Sequence, residues 1–427
     1  MKSLVNRARK REHFAIAPPA MKCNTPRMAL MARLWSLCFT ASLHSPILAQ
    51  NYSPIVNDRI VAAGDEVPVV ADGTKPRRGL EIGVALSAAY DSNIFLSSKN
   101  PIHDMVTRIS PTVAYSKGDP SDGEGAFIRF AYQPTGVIYA ENGTDNRIDQ
   151  LAALTAGWRW SSTSVTYTAA AKKLGDATPE TGRQTDRLEF NHELLAAWTP
   201  REKVTLELAA GSRSSNYSDA TLFDSRETFA RAAVRYAYSP KTRIGMAYQV
   251  GRLQVDGGGS QTLQEITADL AWQPREKIRI GLQAGVEHRN AKGSSELNPV
   301  VEGRIEWSPR VGTQLYLAGY RRQEASAFYA GQNYSVTGVT AGISQRLGKS
   351  WTARLEAGRE KVSYSSVSGS GFSGRNDTIS FVRPAFEYKL TDALDVSIFY
   401  RISNDNSSVA DFGYRQELAG IQLNYQF

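Results

Sequence analysis

The sequence predicts an all-β protein, a transmembrane antiparallel up-and-down β-barrel of about 18 strands with 16 as the alternative count. Three observations carry that expectation. Apolar and polar residues alternate with period two over stretches of ten residues or more. The turns between these stretches recur at a near-constant interval. The tryptophans gather beside one set of turns instead of scattering along the strands.

The chain has 427 residues and a formal net charge of +8, but the charge is unevenly placed. Residues 1–49 hold eight Lys and Arg against one acid, Glu12, which leaves 50−8=42 bases and 42−1=41 acids in the remainder. A nearly neutral body lacks the basic surface that replaces counterions on phosphates, so nucleic acid is not expected as a partner. Both cysteines, Cys23 and Cys38, fall in the same leader. A chain that crosses an oxidising compartment unfolded gains from having no thiols to mispair. From Met28 a basic flank, a short apolar run and Ile47-Leu48-Ala49 give the layout of a secretory signal ending at Ala49. Residues 1–49 are therefore expected to be a signal peptide, with Met21 or Met28 as alternative starts. Residues 50–79, with Pro54, Pro68, Gly73 and Pro76, read as a periplasmic extension, and 80–427 as the barrel.

The alternation begins with Leu80, Ile82, Val84, Leu86, Ala88 and Tyr90 on one face and Glu81, Gly83, Ala85, Ser87 and Ala89 on the other. It recurs in Val204–Ala210, Gln264–Trp272 and Ile278–Val286. Eighteen strands are expected near 80–90, 104–116, 124–139, 147–160, 163–173, 186–199, 203–213, 227–239, 242–253, 262–273, 276–288, 297–308, 312–323, 335–347, 350–362, 377–390, 394–403 and 413–427. The turns Trp198-Thr-Pro-Arg, Tyr238-Ser-Pro-Lys, Trp272-Gln-Pro-Arg and Trp307-Ser-Pro-Arg are 40, 34 and 35 residues apart. A propeller blade would need four strands in that interval. Two long strands with a short turn at one end and a long polar loop at the other form instead the meander of an outer-membrane barrel.

The faces fix what lies on each side. Trp158, Trp160, Trp198, Tyr238, Trp272, Trp307, Trp351 and Tyr388 share the parity of the apolar face and flank short turns, as in the interfacial aromatic girdle of a membrane protein. The opposite face carries charges that no apolar core could hold singly. Lipid outside and water inside satisfies both, so lipid is an expected partner.

The stretch Tyr90-Asp91-Ser92-Asn93-Ile94-Phe95 is similar to a signature of the beta-barrel porin 2 family, on Tyr90, Asp91, Asn93 and Phe95. That resemblance, extending over most of 80–427, implies an outer-membrane barrel of a Gram-negative bacterium. It also implies association with exopolysaccharide or capsule export components. By residue alone the hexapeptide is equally an Asx-type turn opening a loop.

The expected function is a passive channel for hydrophilic solutes, exopolysaccharide or oligosaccharide included, with lumen charge setting selectivity. Candidate pore-lining residues are Arg231, Arg235, Arg243, Glu265, Asp269, Arg279, Glu302, Arg304, Tyr316 and Tyr320. The arginines form either a basic stripe or half of a cross-strand ion-pair ladder. The two tyrosines either stack on sugar rings or pack within the lumen wall. A barrel with an ion-paired, non-conducting lumen and functional outer loops such as 326–335 is the second reading. An outer-membrane hydrolase is the third; His103, His192 and His288 have no metal-ligand spacing or triad partners, so no enzyme, metal or cofactor is expected. Ile421, Leu423, Tyr425 and Phe427 at alternate positions of the last strand resemble the signal read by the bacterial barrel-assembly machinery, which makes that machinery an expected partner.

Overall fold

The computed structural model describes residues 79–118, 123–291, 294–364 and 374–427. The expected signal peptide and all but the last residue of the expected extension lie outside these residues. Eighteen strands close into one antiparallel sheet. In chain order the elements are Gly79–Asp91 (β1), Asp104–Lys117 (β2), Gly125–Tyr139 (β3), Arg147–Arg159 (β4), Thr163–Leu174 (β5), a two-residue pair Ala177–Thr178 (β6) and Arg183–Gln184 (β7), then Arg187–Arg201 (β8), Val204–Tyr217 (β9) and Ser225–Ser239 (β10). Thr242–Val255 (β11), Gly259–Arg275 (β12), Ile278–Ala291 (β13), Ser294–Trp307 (β14), Thr313–Ala325 (β15), Asn333–Leu347 (β16), Trp351–Tyr364 (β17), Arg375–Lys389 (β18), Leu394–Ser407 (β19) and Tyr414–Gln426 (β20) complete the barrel.

Each barrel strand pairs with its chain neighbour, and β1 pairs with β20 from Gly83↔Gln426 to Asp91↔Leu418. Closure leaves no strand edge, which hydrocarbon would not tolerate. The small β6–β7 hairpin, in the connection between β5 and β8, stands outside the barrel sheet. Nothing in the alternation pointed to it.

The aromatic-x-Pro-basic turns have a specific geometry. Register shifts fall between Trp198 and Arg201, between Ala237 and Ser239, and between Trp272 and Arg275. Pro200, Pro240 and Pro274 thus sit at or just beyond the bulge, where a missing N–H costs the ladder nothing. From the β8–β9 turn onward, successive short turns are also tied by a backbone bond: Thr199 N–H donates to Ser162 O (2.7 Å), Ala237 to Lys203 (2.8 Å), Gln273 to Lys241 (2.8 Å) and Ser308 to Lys277 (2.8 Å). Arg346 to Gly312 (2.7 Å), Lys389 to Ser350 (2.8 Å) and Gln426 to Ala393 (2.9 Å) continue the chain, and Phe427 N–H ends it on Ile82 O at 2.9 Å.

The apolar face looks outward. Trp158, Trp160, Trp198, Tyr238, Trp272, Trp307 and Trp351 are each at least 43% exposed at the short-turn end. Tyr388 stacks on Trp351 with ring centroids 4.5 Å apart. Ile421, Leu423, Tyr425 and Phe427 continue the outer belt, Phe427 being 74% exposed. A continuous apolar band of this kind far exceeds the patches soluble proteins expose. The barrel therefore spans a membrane, in the even-stranded, short-turn and long-loop form of the outer-membrane type.

Toward the loops the two faces exchange chemistry. Inward Val336, Val362, Ile379, Tyr334 and Tyr364 pack into one buried cluster, while outward Ser335, Thr337, Ser363, Thr378 and Ser380 are polar. Leu253, Val255 and Leu263 form a second inward cluster, and Ile94, Val106, Val137 and Tyr139 a third. The apolar-out rule holds for the membrane body and fails above it, because the strands there leave the bilayer and need an interior of their own.

Candidate functional site: the lumen and its mouth

Several inner-wall side chains meet across an intervening strand. Arg235 on β10, Gly245 on β11 and Asp269 on β12 lie in one register row. A Cβ on Gly245 would come within 2.6 Å of Asp269 Oδ1, so only glycine lets Arg235 Nη1 reach Asp269 Oδ2 at 2.7 Å. Arg235 Nε also donates to Glu207 Oε1 at 2.8 Å, and Arg231 Nη2 to Glu193 Oε1 at 3.1 Å. On the far wall Tyr316–Gly342–Glu356 and Tyr320–Gly338–Glu360 repeat the design. Each tyrosine hydroxyl donates to its glutamate across the glycine.

These contacts give each of the candidate lining residues a place. Arg231 and Arg235 are not a free basic stripe; they belong to buried ion pairs. Asp269 completes that network, while Arg243 is half-buried one row nearer the short turn. Glu265 faces inward between Gln249 and Glu287. The rings of Tyr316 and Tyr320 lie over Gly342 and Gly338, with the Arg304 and Arg322 guanidinium groups 4.8 and 4.6 Å from their centroids. With those faces occupied, sugar stacking on either ring is replaced by packing within the wall.

The wall is not uniformly dry. Near the short turns of β13 and β14, Arg279, Arg304 and Glu306 remain more than a third exposed, with Arg304 Nε 2.7 Å from Glu306 Oε1. Glu302 lies above them between Gln283 and Tyr320 in register. Arg235 and Glu207, by contrast, are each only 6% exposed. Water therefore reaches the wall through the short-turn end on the β13–β14 side.

The loop end is closed by long-range bonds. The segment 175–186, which contains β6 and β7, joins the fifth and sixth strands of the eighteen-strand circle. Its Glu180 accepts from Ser326 Oγ (2.9 Å) and Ala327 N–H (3.0 Å), beyond the thirteenth strand. Arg375, opening the sixteenth, donates to the carbonyls of Glu180 and Pro179, both at 2.8 Å. Arg375 also holds Asp377 at 2.6 Å and lies 3.7 Å from the Phe412 ring centroid. Eighteen strands about 4.8 Å apart and tilted ~40° enclose a backbone circle roughly 36 Å across. A twelve-residue hairpin reaches ~20 Å, and the infolded segment 326–332 supplies the remaining distance. Ser326 and Ala327 are buried, so the start of the loop 326–335 folds inward.

Further ties join the strap to neighbouring loops. Arg183 Nη2 lies 2.7 Å from Asp219 Oδ2 and 2.6 Å from Thr221 Oγ1. Hydrogen bonds from the Thr221 hydroxyl and N–H, helped by Arg183, hold the Asp219 carboxyl below the usual carboxylate range. Phe223 N–H donates to Ala327 O at 2.9 Å. Asp91 and Asn93 secure the seam at the same end: Asn93 N–H donates to Asp91 Oδ1 at 2.8 Å, the Asx turn that its residue type suggests. Asn93 Nδ2 donates to Arg415 O at 3.1 Å and Gln416 Nε2 to Asp91 Oδ2 at 2.9 Å. Tyr90 faces outward, whereas Phe95 packs on the Ile94 cluster.

His103, His192 and His288 are separated. His192 faces outward beside Phe190, His288 Nε2 lies 2.8 Å from Ser295 Oγ, and His103 stands near Tyr90. Among the described residues no group of three or more His, Cys, Asp or Glu could hold a metal ion.

No family model matches the chain, and no curated protein sequence matches it. The likeness to the beta-barrel porin 2 family therefore rests on 90–95, the meander with its aromatic-x-Pro-basic turns, and the terminal Phe427. Among solved structures, the outer membrane protein OpdK from Pseudomonas aeruginosa gives a TM-score of 0.45 at 11% identity, covering 82% of this chain and 99% of that one. OpdQ from the same organism gives 0.46 at 10%, with 82% and 99% covered. The siderophore receptor PirA, also from Pseudomonas aeruginosa, gives 0.43 at 9%, with 83% and 81% covered. The class of the protein is set by its own geometry, a closed transmembrane β-barrel with a charged inner wall and an infolded strap.

Proposed function

We propose that the protein is a channel in the outer membrane of a Gram-negative bacterium, passing small hydrophilic solutes by diffusion through a lumen narrowed at its outer mouth. The observation that carries this reading is the strap 175–186, held across the mouth by Arg375 and Glu180 above an inner wall that is wet on its β13–β14 side. A charged, partly hydrated wall has no purpose in a barrel filled by apolar packing, and a strap that constricts a pore acts by size and by local charge.

Exopolysaccharide passage, which the resemblance at 90–95 brings with it, needs a mouth clear enough for a polymer. The strap occupies that space, so small solutes are the preferred cargo. The non-conducting scaffold is favoured by one observation, the buried pairing of Arg231 and Arg235 with Glu193, Glu207 and Asp269. Conductance across a planar bilayer separates the two readings. The wild-type channel is expected to conduct weakly, and replacing residues 177–184 by a short Gly-Ser linker should raise conductance about threefold or more, since the strap spans most of the mouth. If neither protein conducts, the scaffold reading replaces the channel.

A further inference from the structure

The outer surface of β15–β17 carries a cationic cluster that the channel does not use. Arg321, Thr337 and Lys361 stand in one register row across the three strands. Arg359 lies one outward position below Lys361, opposite Val339. All four are exposed on the lipid side. Beneath them the outward columns are apolar: Leu315 and Leu317 on β15, Val339, Ala341 and Ile343 on β16, Trp351, Leu355 and Ala357 on β17.

Height can be counted from the girdle. Lys361 is ten residues from Trp351, about 33 Å along the strand and roughly 25 Å along the membrane normal at a ~40° tilt. The apolar band of such barrels is also ~25 Å tall. The cations stand where hydrocarbon gives way to headgroups, at the level where the inward face turns apolar through Val336 and Val362.

Their charge is left without an internal answer. Every acid of β14–β18 has inward parity, and none of the three cations is joined to an acid among the described residues. The outward Arg415, at the same end of β20, is treated differently: Glu417 Oε1 lies 2.7 Å away, and Glu417 in turn accepts from Tyr400 at 2.9 Å. Two strand spacings, about 10 Å, separate the Arg321 and Lys361 backbones, a span their long side chains can close over Thr337. Two guanidinium groups, one ammonium and a hydroxyl converging from the membrane side are suited to a phosphate.

We propose that Arg321, Thr337, Arg359 and Lys361 form a binding site for the phosphate of an anionic lipid headgroup in the leaflet at the loop end. The site opens toward the bilayer and away from the lumen, which selects a lipid over a soluble phosphate. It requires the barrel to sit in a membrane and is independent of whether the lumen conducts.

The test uses the full chain, refolded in micelles of an uncharged detergent, with native mass spectrometry counting bound phosphatidylglycerol against phosphatidylcholine. Wild type should prefer phosphatidylglycerol by about tenfold or more, a modest share of what three interfacial cations supply. R321Q/R359Q/K361Q should reduce that preference to about twofold or less, while R321K/R359K and R415Q should keep it, all with wild-type heat-modifiable mobility as the check on folding. Equal binding of the two lipids to wild type, or an undiminished preference in the triple Gln variant, would overturn the site. Displacement of phosphatidylglycerol by equimolar inorganic phosphate would overturn the lipid assignment.

Discussion

The short-turn rim and the loop-end mouth close the same barrel by opposite means. At the rim successive turns bond to one another through backbone groups, from Thr199→Ser162 round to Phe427→Ile82. At the mouth a few buried side chains, Arg375 and Glu180 foremost, bridge strands that are far apart in the circle. Local, repeated bonds make the rim redundant. Long-range, single bonds make the mouth depend on individual residues.

The largest effect should therefore come from Arg375→Ala. It leaves Asp377, 2% exposed, as a buried charge without its guanidinium and releases two strap carbonyls, a cost of about 3–5 kcal/mol. The strap should become accessible, read as trypsin cleavage at Arg183 in proteoliposomes, while the barrel's own melting temperature stays near wild type. A matching drop in barrel melting would mean that mouth and body are one cooperative unit.

Gly342→Ala probes the wall between the two regions. The added methyl would overlap the Tyr316 ring, and overpacking of this kind costs about 1–3 kcal/mol. A lowered urea midpoint with unchanged strap cleavage is expected. An unchanged midpoint would show that Tyr316 can leave Gly342 freely.

Deleting Phe427 should have the smallest effect on the folded barrel. It removes one rim hydrogen bond, worth about 1 kcal/mol, and an edge-on ring contact with Tyr425 at 4.7 Å. Yield in the outer membrane should nonetheless fall, because the terminal aromatic is proposed as the assembly signal. Normal yield would leave Phe427 as an ordinary rim residue.

The same contrast explains what could be read in advance. The strand count and the closing of the barrel were legible because period-two alternation and Trp-x-Pro-Arg turns are local patterns, repeated many times. Arg375 falls between the expected strands 350–362 and 377–390, and Glu180 between 163–173 and 186–199, where no alternation runs. Their roles depend on strands two hundred residues apart meeting across a circle, and no local periodicity records that. Parity puts Arg231, Arg235, Tyr316 and Tyr320 on the charged face and carries no information about their partners. Glu207 is on the strand next to Arg235, but Glu193, Asp269, Glu356 and Glu360 sit two strands from their partners, and the cue, an inward glycine such as Gly245 or Gly342 between two long polar side chains, becomes readable only with the register. The apolar interior at the loop end escapes parity for a simpler reason: the same alternation continues past the height at which the surroundings change from lipid to water.

The seam has one further consequence. Around a closed ring the residue offsets between successive strands must sum to a fixed total, so a slip of two residues in any hairpin cannot be absorbed where it occurs. It travels to the last pairing, where Gly83 would no longer meet Gln426 and Phe427 would overshoot or fall short of Ile82. The β1–β20 junction thus works as a parity check on every hairpin laid down before it, and a barrel can be sealed only after the whole count has come out right.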